Sequence, residues 1–573
     1  CLIIGYQTRV SQILSAIGLI SIHNAAVILE NGADMVFNNY LIWTLFLPLG
    51  TSLSVDSLRK SLKHNPEHDS HDLNKQIKSQ STRIFHVAYL ACLIQLSMIY
   101  FYNSINKTGS MWVTDYTAIH YMYQLDTFLT WAGEIIASVL PLGIIKILTK
   151  MTLYIEYAAP LAILSPLLQP WLRRIVLVLF IPFHFIILVS VNIGLFSWVM
   201  FAALILLFSK EDINYIKNLL SNYFNKKYTV FYDRDCGFCH LCARILKRLD
   251  IFSRLKWADR LSEGDRPDNV ESLLENTIVV WDPETDTIWT RHNGFSKIIS
   301  SLPLGFLIAW ILQVPLIEKL FGFIYDIISN NRSSISKIIG LTACGIKREK
   351  DIPDNKTAGH LPILKTTKKI VWVLSNILVL SLLIGAVDYS IQINDATKNR
   401  TDKTKIKPKV SNKSNLLRDA RRNMKHILLY PRMYQKWNMF SPRVITQEKW
   451  IVADIKFYNG ESLSLFTNDS NIENRFNRKY FTPYKNQFWR KLFGRLGKKN
   501  YKKNIPKFKN WLKRTDYFAQ YNGRSVSDVK LWILSERSPN PDNSGNRPRV
   551  TKRELKENDG KSHQNKKSGI RKN

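Results

Sequence analysis

The chain has 573 residues, enough for several domains, and combines 46% hydrophobic residues with a formal charge of +35 and a pI near 9.8. Its basic residues concentrate between and after long apolar segments, the pattern of positive-inside topology and of attraction to anionic lipid. With no base-reading motif, nucleic-acid binding is not expected. Six cysteines are too few for a disulfide-stapled secreted protein; Cys236, Cys239 and Cys242 cluster, while Cys1, Cys92 and Cys344 are scattered.

The chain opens on Cys1 inside an apolar stretch, without a basic start or a small-residue cleavage site. It reads as a fragment that lacks its N-terminal part. Apolar segments then alternate with short polar loops from Val10 to Phe208. Ile84–Tyr102 has the length needed to span a bilayer, roughly 20 residues. Phe128–Leu148, Leu153–Leu168 and Ile175–Phe208 follow, the last long enough for one kinked or two short spans, with Pro160, Pro166 and Pro182 as kinks or breaks. Leu41–Leu49 is short and continues a helix from Asn38. The spacing predicts roughly five to seven spans. The basic loop Asp56–Arg83 is expected in the cytoplasm and Asn103–Asp126, whose one basic residue apart from histidine is Lys107, outside. Lys107 reads either as a snorkelling anchor or as an active-site base with a pKa lowered by desolvation.

A second kind of chemistry begins at Tyr228. The apolar run Tyr228–Phe231 leads into Tyr-Asp-Arg-Asp-Cys-Gly-Phe-Cys at Tyr232–Cys239, and Leu241–Leu249 carries apolar residues at helical spacing. A strand, a turn and a C-x-x-C at a helix start form the layout of a dithiol redox site. Cys236 would sit where free backbone N–H groups and the helix dipole stabilise a thiolate. Cys239, one turn on, would resolve a mixed disulfide. Asp233 and Asp235 would raise a nearby thiol pKa, or Asp235 would act as a cap or proton acceptor. Cys242 reads as a packed core thiol. A tetrahedral metal site on Cys236, Cys239, His240 and Cys242 would need unusual geometry on one helix, so no metal is expected. Further β-type runs fall at Leu255–Ala258, Thr277–Trp281 and Thr287–Arg291, with a turn at Pro283–Asp286. Lys226–Cys344 therefore reads as a small α/β, thioredoxin-like domain.

Ser301–Ser329 holds two apolar helical stretches split by Pro315, read either as membrane-associated or, the favoured reading, as helices packed on the thiol domain. Ile370–Val387, uncharged and preceded by lysines, reads as one more span. Eleven basic residues against Asp402 and Asp419 between Ala396 and Lys425 predict a solvated linker near anionic headgroups. Beyond it, β-like runs at Trp450–Tyr458 and Leu531–Leu534 suggest a packing or docking domain, and Arg537–Asn573 reads as a disordered tail. The linker's charge favours an external thiol domain, although long domains obey this rule poorly.

Two resemblances sharpen these readings. His23-Asn24, Asn31-Gly32-Ala33-Asp34, Leu45-Phe46-Leu47-Pro48-Leu49-Gly50 and Ser54-Val55-Asp56 resemble the HTTM domain shared with vitamin K-dependent gamma-carboxylase. Tyr100-Phe101-Tyr102, Asn106-Lys107, Trp112 and Tyr116 resemble the segment carrying that enzyme's base lysine, which falls at Lys107. Where the carboxylase has an Asn-His pair, this chain reads Leu41-Ile42-Trp43-Thr44, so the resemblance implies the fold and not the reaction. The motif ending in Cys236-Gly237-Phe238-Cys239, with Tyr325 and Asn331-Arg332 closing the segment, resembles the DCC family of thiol-disulfide oxidoreductases, although no proline directly precedes Thr277. Trp437-Asn438-Met439-Phe440-Ser441-Pro442 is similar to a signature that follows the last span in HTTM–DCC-like proteins.

The expected architecture is a multi-pass α-helical membrane domain (1–210), a thioredoxin-like α/β domain (226–345), a further transmembrane helix (370–390), a basic linker (396–425), a small α+β region (426–536) and a basic tail (537–573). The expected function is thiol-disulfide exchange at Cys236 and Cys239 in the cell (inner) membrane. It would act with a protein thiol or disulfide partner and be coupled to a quinone-like lipid in the membrane domain. The rival readings are a non-catalytic scaffold and, less favoured, a carboxylase-like lyase using Lys107.

Overall fold

A computed structural model describes residues 1–51, 54–62, 86–223, 226–233, 236–258, 265–267, 270–274, 277–340, 362–401, 415–437, 439–467, 471–473, 476, 486–514, 518–541 and 550–556. Asp235, Cys344, Asn438, most of the Asp56–Arg83 loop, the centre of the basic linker and the last part of the tail lie outside the described residues. The chain forms two compact units. One contains Cys1–Ser11, Pro48–Phe85 and Phe208–Ile370, and the other Gln12–Leu47, His86–Leu207 and Val371–Asn573.

The first unit is built on strands β1 (Tyr228–Phe231), β2 (Leu255–Ala258), β3 (Val279–Asp282) and β4 (Thr287–Thr290), in the order β2-β1-β3-β4. β1 and β2 are parallel, so the helix Gly237–Leu249 crosses between them; β1/β3 and β3/β4 are antiparallel. This is the thioredoxin-like arrangement expected for the segment. Alternation along β1 sends Tyr228 and Val230 to one face and Phe231 to the other. Leu246, Leu255, Val280, Ile298 and Leu302 close the first face; Ala258, Val270, Leu274, Val279 and Trp281 close the second. The Asp250 carboxylate accepts hydrogen bonds from Arg254 N (2.9 Å) and Leu255 N (2.8 Å), which turns the chain from the helix into β2. β4 is a residue shorter than expected, because Arg291 already begins the helix Arg291–Ser301. On that helix packs Pro315–Asn330: a Cβ on Gly322 would meet the His292 ring at 3.3 Å, so glycine permits the close approach.

In the second unit, Val87–Ile105, Leu142–Leu164, Gln169–Ser190 and Lys369–Asp395 are long and apolar enough to cross a bilayer. Two expected spans, Phe128–Leu148 and Leu153–Leu168, are corrected to a short helix, Trp131–Val139, and one long helix, Leu142–Leu164. Leu140, ahead of Pro141, is extended (φ −79°, ψ 116°), because a residue before proline is driven out of the helical region. The stretch Ile175–Phe208, long enough for one kinked or two short helices, divides at Val191 into Gln169–Ser190 and the short helix Phe196–Leu204.

The basic linker is also shorter than expected. The last span belongs to a helix running Pro362–Thr401, and a second helix, Asn415–Leu429, folds back on it. Arg421 pairs with Asp388 at 2.9 Å, and Leu428 is buried with Trp43, Cys92, Val379 and Leu383. Amphipathic burial thus holds a segment that charge alone marks as solvated.

The chain ends in an antiparallel sheet of β5 (Gln447–Phe457), β6 (Ser462–Leu465), β7 (Val526–Arg537) and β8 (Thr551–Glu554), in the order β6-β5-β7-β8. Its core includes Ile451, Ile455, Leu496, Leu512 and Tyr521. β8 corrects the reading of a disordered tail starting at Arg537: Trp532–Ser535 pair with Thr551–Glu554, and Leu555 is buried.

Candidate functional site

Cys236 is the N-cap of the helix Gly237–Leu249, in extended conformation (φ −85°, ψ 118°). Its sulfur accepts a hydrogen bond from Cys239 N at 3.5 Å. Four causes set its acidity: the Cys239 thiol donating to it, burial, the N–H groups of Cys239 and Phe238, and the Arg332 guanidinium. Burial alone opposes the thiolate, and the Cys236 pKa falls to about 6. The same contact, with burial, pushes the Cys239 thiol strongly upward. Burial and the nearby Cys236 push Cys242 up to about 11. The helix therefore carries one thiol of lowered pKa and two of raised pKa.

Arg332 comes from the helix Arg332–Ile338, which also anchors the site through Ser336: its hydroxyl accepts a hydrogen bond from Phe238 N at 3.0 Å. Asp233 lies 3.6 Å from Arg332 and raises the Cys239 thiol. The charge of Asp233 thus bears on Cys239 and is balanced by Arg332.

A groove of about 700 Å³ opens beside Cys236, lined by Asp233, Thr277, Arg291, Tyr325 and Arg332 among others. Thr277 Oγ1 lies 3.0 Å from Tyr325 Oη and accepts a hydrogen bond from Arg291 N at 2.8 Å. Ile278 N donates to the same tyrosine oxygen at 3.2 Å. Arg291 and Asp326 form an ion pair across the groove's rim.

The second unit holds a separate polar cluster. Lys107 is 3% exposed and pairs with Glu156, whose other oxygen accepts from Asn103 Nδ2 at 2.7 Å. The ammonium also lies 4.3 Å from the centroid of the Trp112 ring. Burial corrects the snorkelling reading: the charge points inward to a partner. Tyr100 and His184 form a further buried hydrogen bond at 3.0 Å.

The segment Tyr434–Pro442 closes over this loop. Trp437 O accepts from Asn106 Nδ2 (2.6 Å), Phe440 O from Trp112 Nε1 (2.8 Å) and Pro442 O from Gly109 N (2.9 Å). A Cβ on Gly109 would stand 2.5 Å from Pro442 O, so this approach requires glycine. Two other carboxylase-like motifs make structural contacts. Asn31 and Asp34 form a capping box, and Asp56 accepts from Gln7 N and from both Thr8 N and Thr8 Oγ1.

These features define an integral membrane protein carrying a thioredoxin-like dithiol domain. Comparison with protein families gives the particular combination. Residues 53–212 match the HTTM domain, and residues 230–337 match the DCC1-like thiol-disulfide oxidoreductases. The two matched regions follow one another in the order of the fusion that the motifs resemble. No curated protein and no solved structure matches it.

Sequence reasoning placed Cys236 and Cys239 at a helix start but missed Glu156, Thr277 and Ser336 as partners. Glu156 carried a usable signal, as the one acidic residue of the apolar helix Leu142–Leu164.

Proposed function

We propose that this protein is an integral membrane thiol-disulfide oxidoreductase working through Cys236 and Cys239. The observation that carries the reading is the opposed acidity of the two thiols: Cys236 down to about 6, Cys239 raised by its hydrogen bond to Cys236. Cys236 thiolate attacks one sulfur of a partner disulfide and expels the other as thiolate. Cys239, once deprotonated, attacks Cys236 Sγ in the mixed disulfide. The products are a Cys236–Cys239 disulfide and a fully reduced partner, two electrons having passed to the partner. The reverse sequence oxidises a partner dithiol.

The disulfide must then be re-reduced, or the dithiol re-oxidised, by a second couple. A quinone-like lipid in the membrane domain would fit that role in either direction: the quinone would take two electrons and two protons from the dithiol, and the quinol would return them to the disulfide. Supporting it are the buried Lys107–Glu156 pair and the neighbouring Asn103 Oδ1 and His184 Nδ1, buried atoms without a hydrogen-bond partner among the described residues. The reading includes residence in the cell's inner membrane, contact of the basic segments with anionic lipid, and a protein thiol or disulfide as partner. A scaffold that only binds would have no need of so acidic a thiol.

The test is reduction of an insulin-type disulfide substrate by the full protein in detergent, with dithiothreitol as the electron donor and its uncatalysed rate subtracted. Cys236→Ser abolishes activity, and Cys239→Ser accumulates a mixed disulfide that gel electrophoresis without reductant detects. Retained activity in Cys236→Ser overturns the assignment. A thiol state indifferent to added quinone removes only the quinone step.

A further inference from the structure

The thiol domain carries an apolar surface that its fold leaves uncovered. Leu307–Gln313 and Pro315–Asn330 together have the length and composition of a membrane span, yet they meet at 92°. A straight crossing is therefore not available to them. One side of this bent pair packs on the domain, with Ala309 buried and Gly322 against His292. The other side exposes Leu307 (52%), Ile308 (57%), Trp310 (62%), Leu316 (81%), Leu320 (58%) and Phe323 (64%). Leu316, Leu320 and Phe323 recur at helical spacing, so they form one stripe along Pro315–Asn330.

We infer that the bent helix pair lies in the bilayer interface with this stripe in lipid, so that the thiol domain is seated on the membrane it is tethered to. Three observations favour lipid over a protein partner. The composition is that of a membrane-crossing segment rather than of a polar-rimmed docking patch. The chain on both sides is apolar and membrane-bound in character, with the helix Phe196–Leu207 before it and the span Lys369–Asp395 after it. Trp310 sits by the bend, and tryptophan favours the headgroup level. An interfacial helix of this kind sinks its apolar face about 5–10 Å below the headgroups.

The consequence reaches the dithiol. Tyr325, Asp326 and Ser329 line the groove beside Cys236 from the same helix, Pro315–Asn330, on the side away from the apolar stripe. The groove's wall is thus the back of a membrane-bound helix. Cys236 would meet partners held at the membrane surface rather than free in solution. The membrane seating stands whether or not the dithiol is catalytic.

The experiment uses the full chain in vesicles of phosphatidylcholine and phosphatidylglycerol that contain lipids with a photoactivatable diazirine, placed either near the glycerol or at the acyl-chain end. Labelled peptides are mapped by mass spectrometry, and hydroxyl-radical oxidation reports water exposure in parallel. The expected result is labelling of residues 307–324 by the shallow probe, several-fold above that from the deep probe, while the four spans react with both. In the variant L316E/F323E the labelling of this segment falls several-fold and that of the spans is unchanged. Three outcomes overturn the inference: oxidation of Trp310 and Phe323 without lipid labelling (a surface in water), neither modification (a surface covered by protein), or equal labelling at both depths (a segment that crosses the bilayer).

Discussion

At the scale of single residues, the acidity of Cys236 is set by neighbours from two directions. Cys239 is three positions away, whereas Arg332 arrives from the far end of the domain. A pKa near 6 means that the thiolate predominates above that pH and is lost below it. Alkylation of Cys236 by iodoacetamide should therefore rise with pH around a midpoint near 6, not in the ordinary thiol range. Arg332→Ala removes a favourable positive charge and should move that midpoint upward. For a shift of one pKa unit the rate at pH 6 would fall by about fivefold, as the thiolate fraction drops from about one half to about one eleventh. An unchanged midpoint would mean that the local hydrogen bonds alone set it. The sequence shows half of this arrangement. The C-x-x-C and its helix start are local, so spacing reveals them; the Asn331-Arg332 ending was visible only as a resemblance, with no role attached. The Thr277–Tyr325 contact spans 48 positions and has no local signature. Tyr325→Phe, which strips the hydroxyl from Thr277 and Ile278 N, should lower the domain's stability by about 1 kcal/mol in thermal unfolding. It should leave the alkylation midpoint of Cys236 in place.

At the scale of elements, the Lys107–Glu156 pair ties the loop after Val87–Ile105 to the helix Leu142–Leu164. Both side chains are almost fully buried, so neither can be relieved by water. Removing one partner strands the other charge, which typically costs about 3–5 kcal/mol, whereas replacing both by apolar groups is often near neutral. Glu156→Gln and Lys107→Met should each lower the unfolding temperature in detergent markedly. The double variant Lys107→Met/Glu156→Leu should recover most of the loss, and an additive loss would show that the pair is not coupled. Apolar runs were legible as membrane helices, but their boundaries were not. A hydropathy window averages over Leu140-Pro141, where a single X-Pro step ends one helix and begins another. The helix Asn415–Leu429 shows the reverse effect. Its arginines and lysine read as linker, while Met424 and Leu428 on one face bind it to the last span.

At the scale of the whole molecule, the last part of the chain completes the helical unit that begins near its start. Trp437 O, Phe440 O and Pro442 O accept hydrogen bonds from Asn106, Trp112 and Gly109, which flank Lys107 on either side. These donors come from a loop whose Lys107, Gly109 and Trp112 are buried, and a buried donor left without its acceptor costs about 1–3 kcal/mol. A chain ending at Thr401 would keep every candidate span and lose all three acceptors. Its helix content in detergent should stay close to that of the full chain per span residue, because each span's backbone bonds are internal. The loop, by contrast, should open. Lys107, 3% exposed in the complete chain, should become reactive toward an amine-acylating reagent, and its labelling in the shortened chain should exceed that in the full chain by about tenfold or more. Trp112→Phe in the full chain deletes one of the three bonds and should give an intermediate rate. Equal protection of Lys107 in all three proteins would mean that Glu156 and the span packing suffice to bury it, and that the Trp437–Pro442 segment rests on a loop already closed.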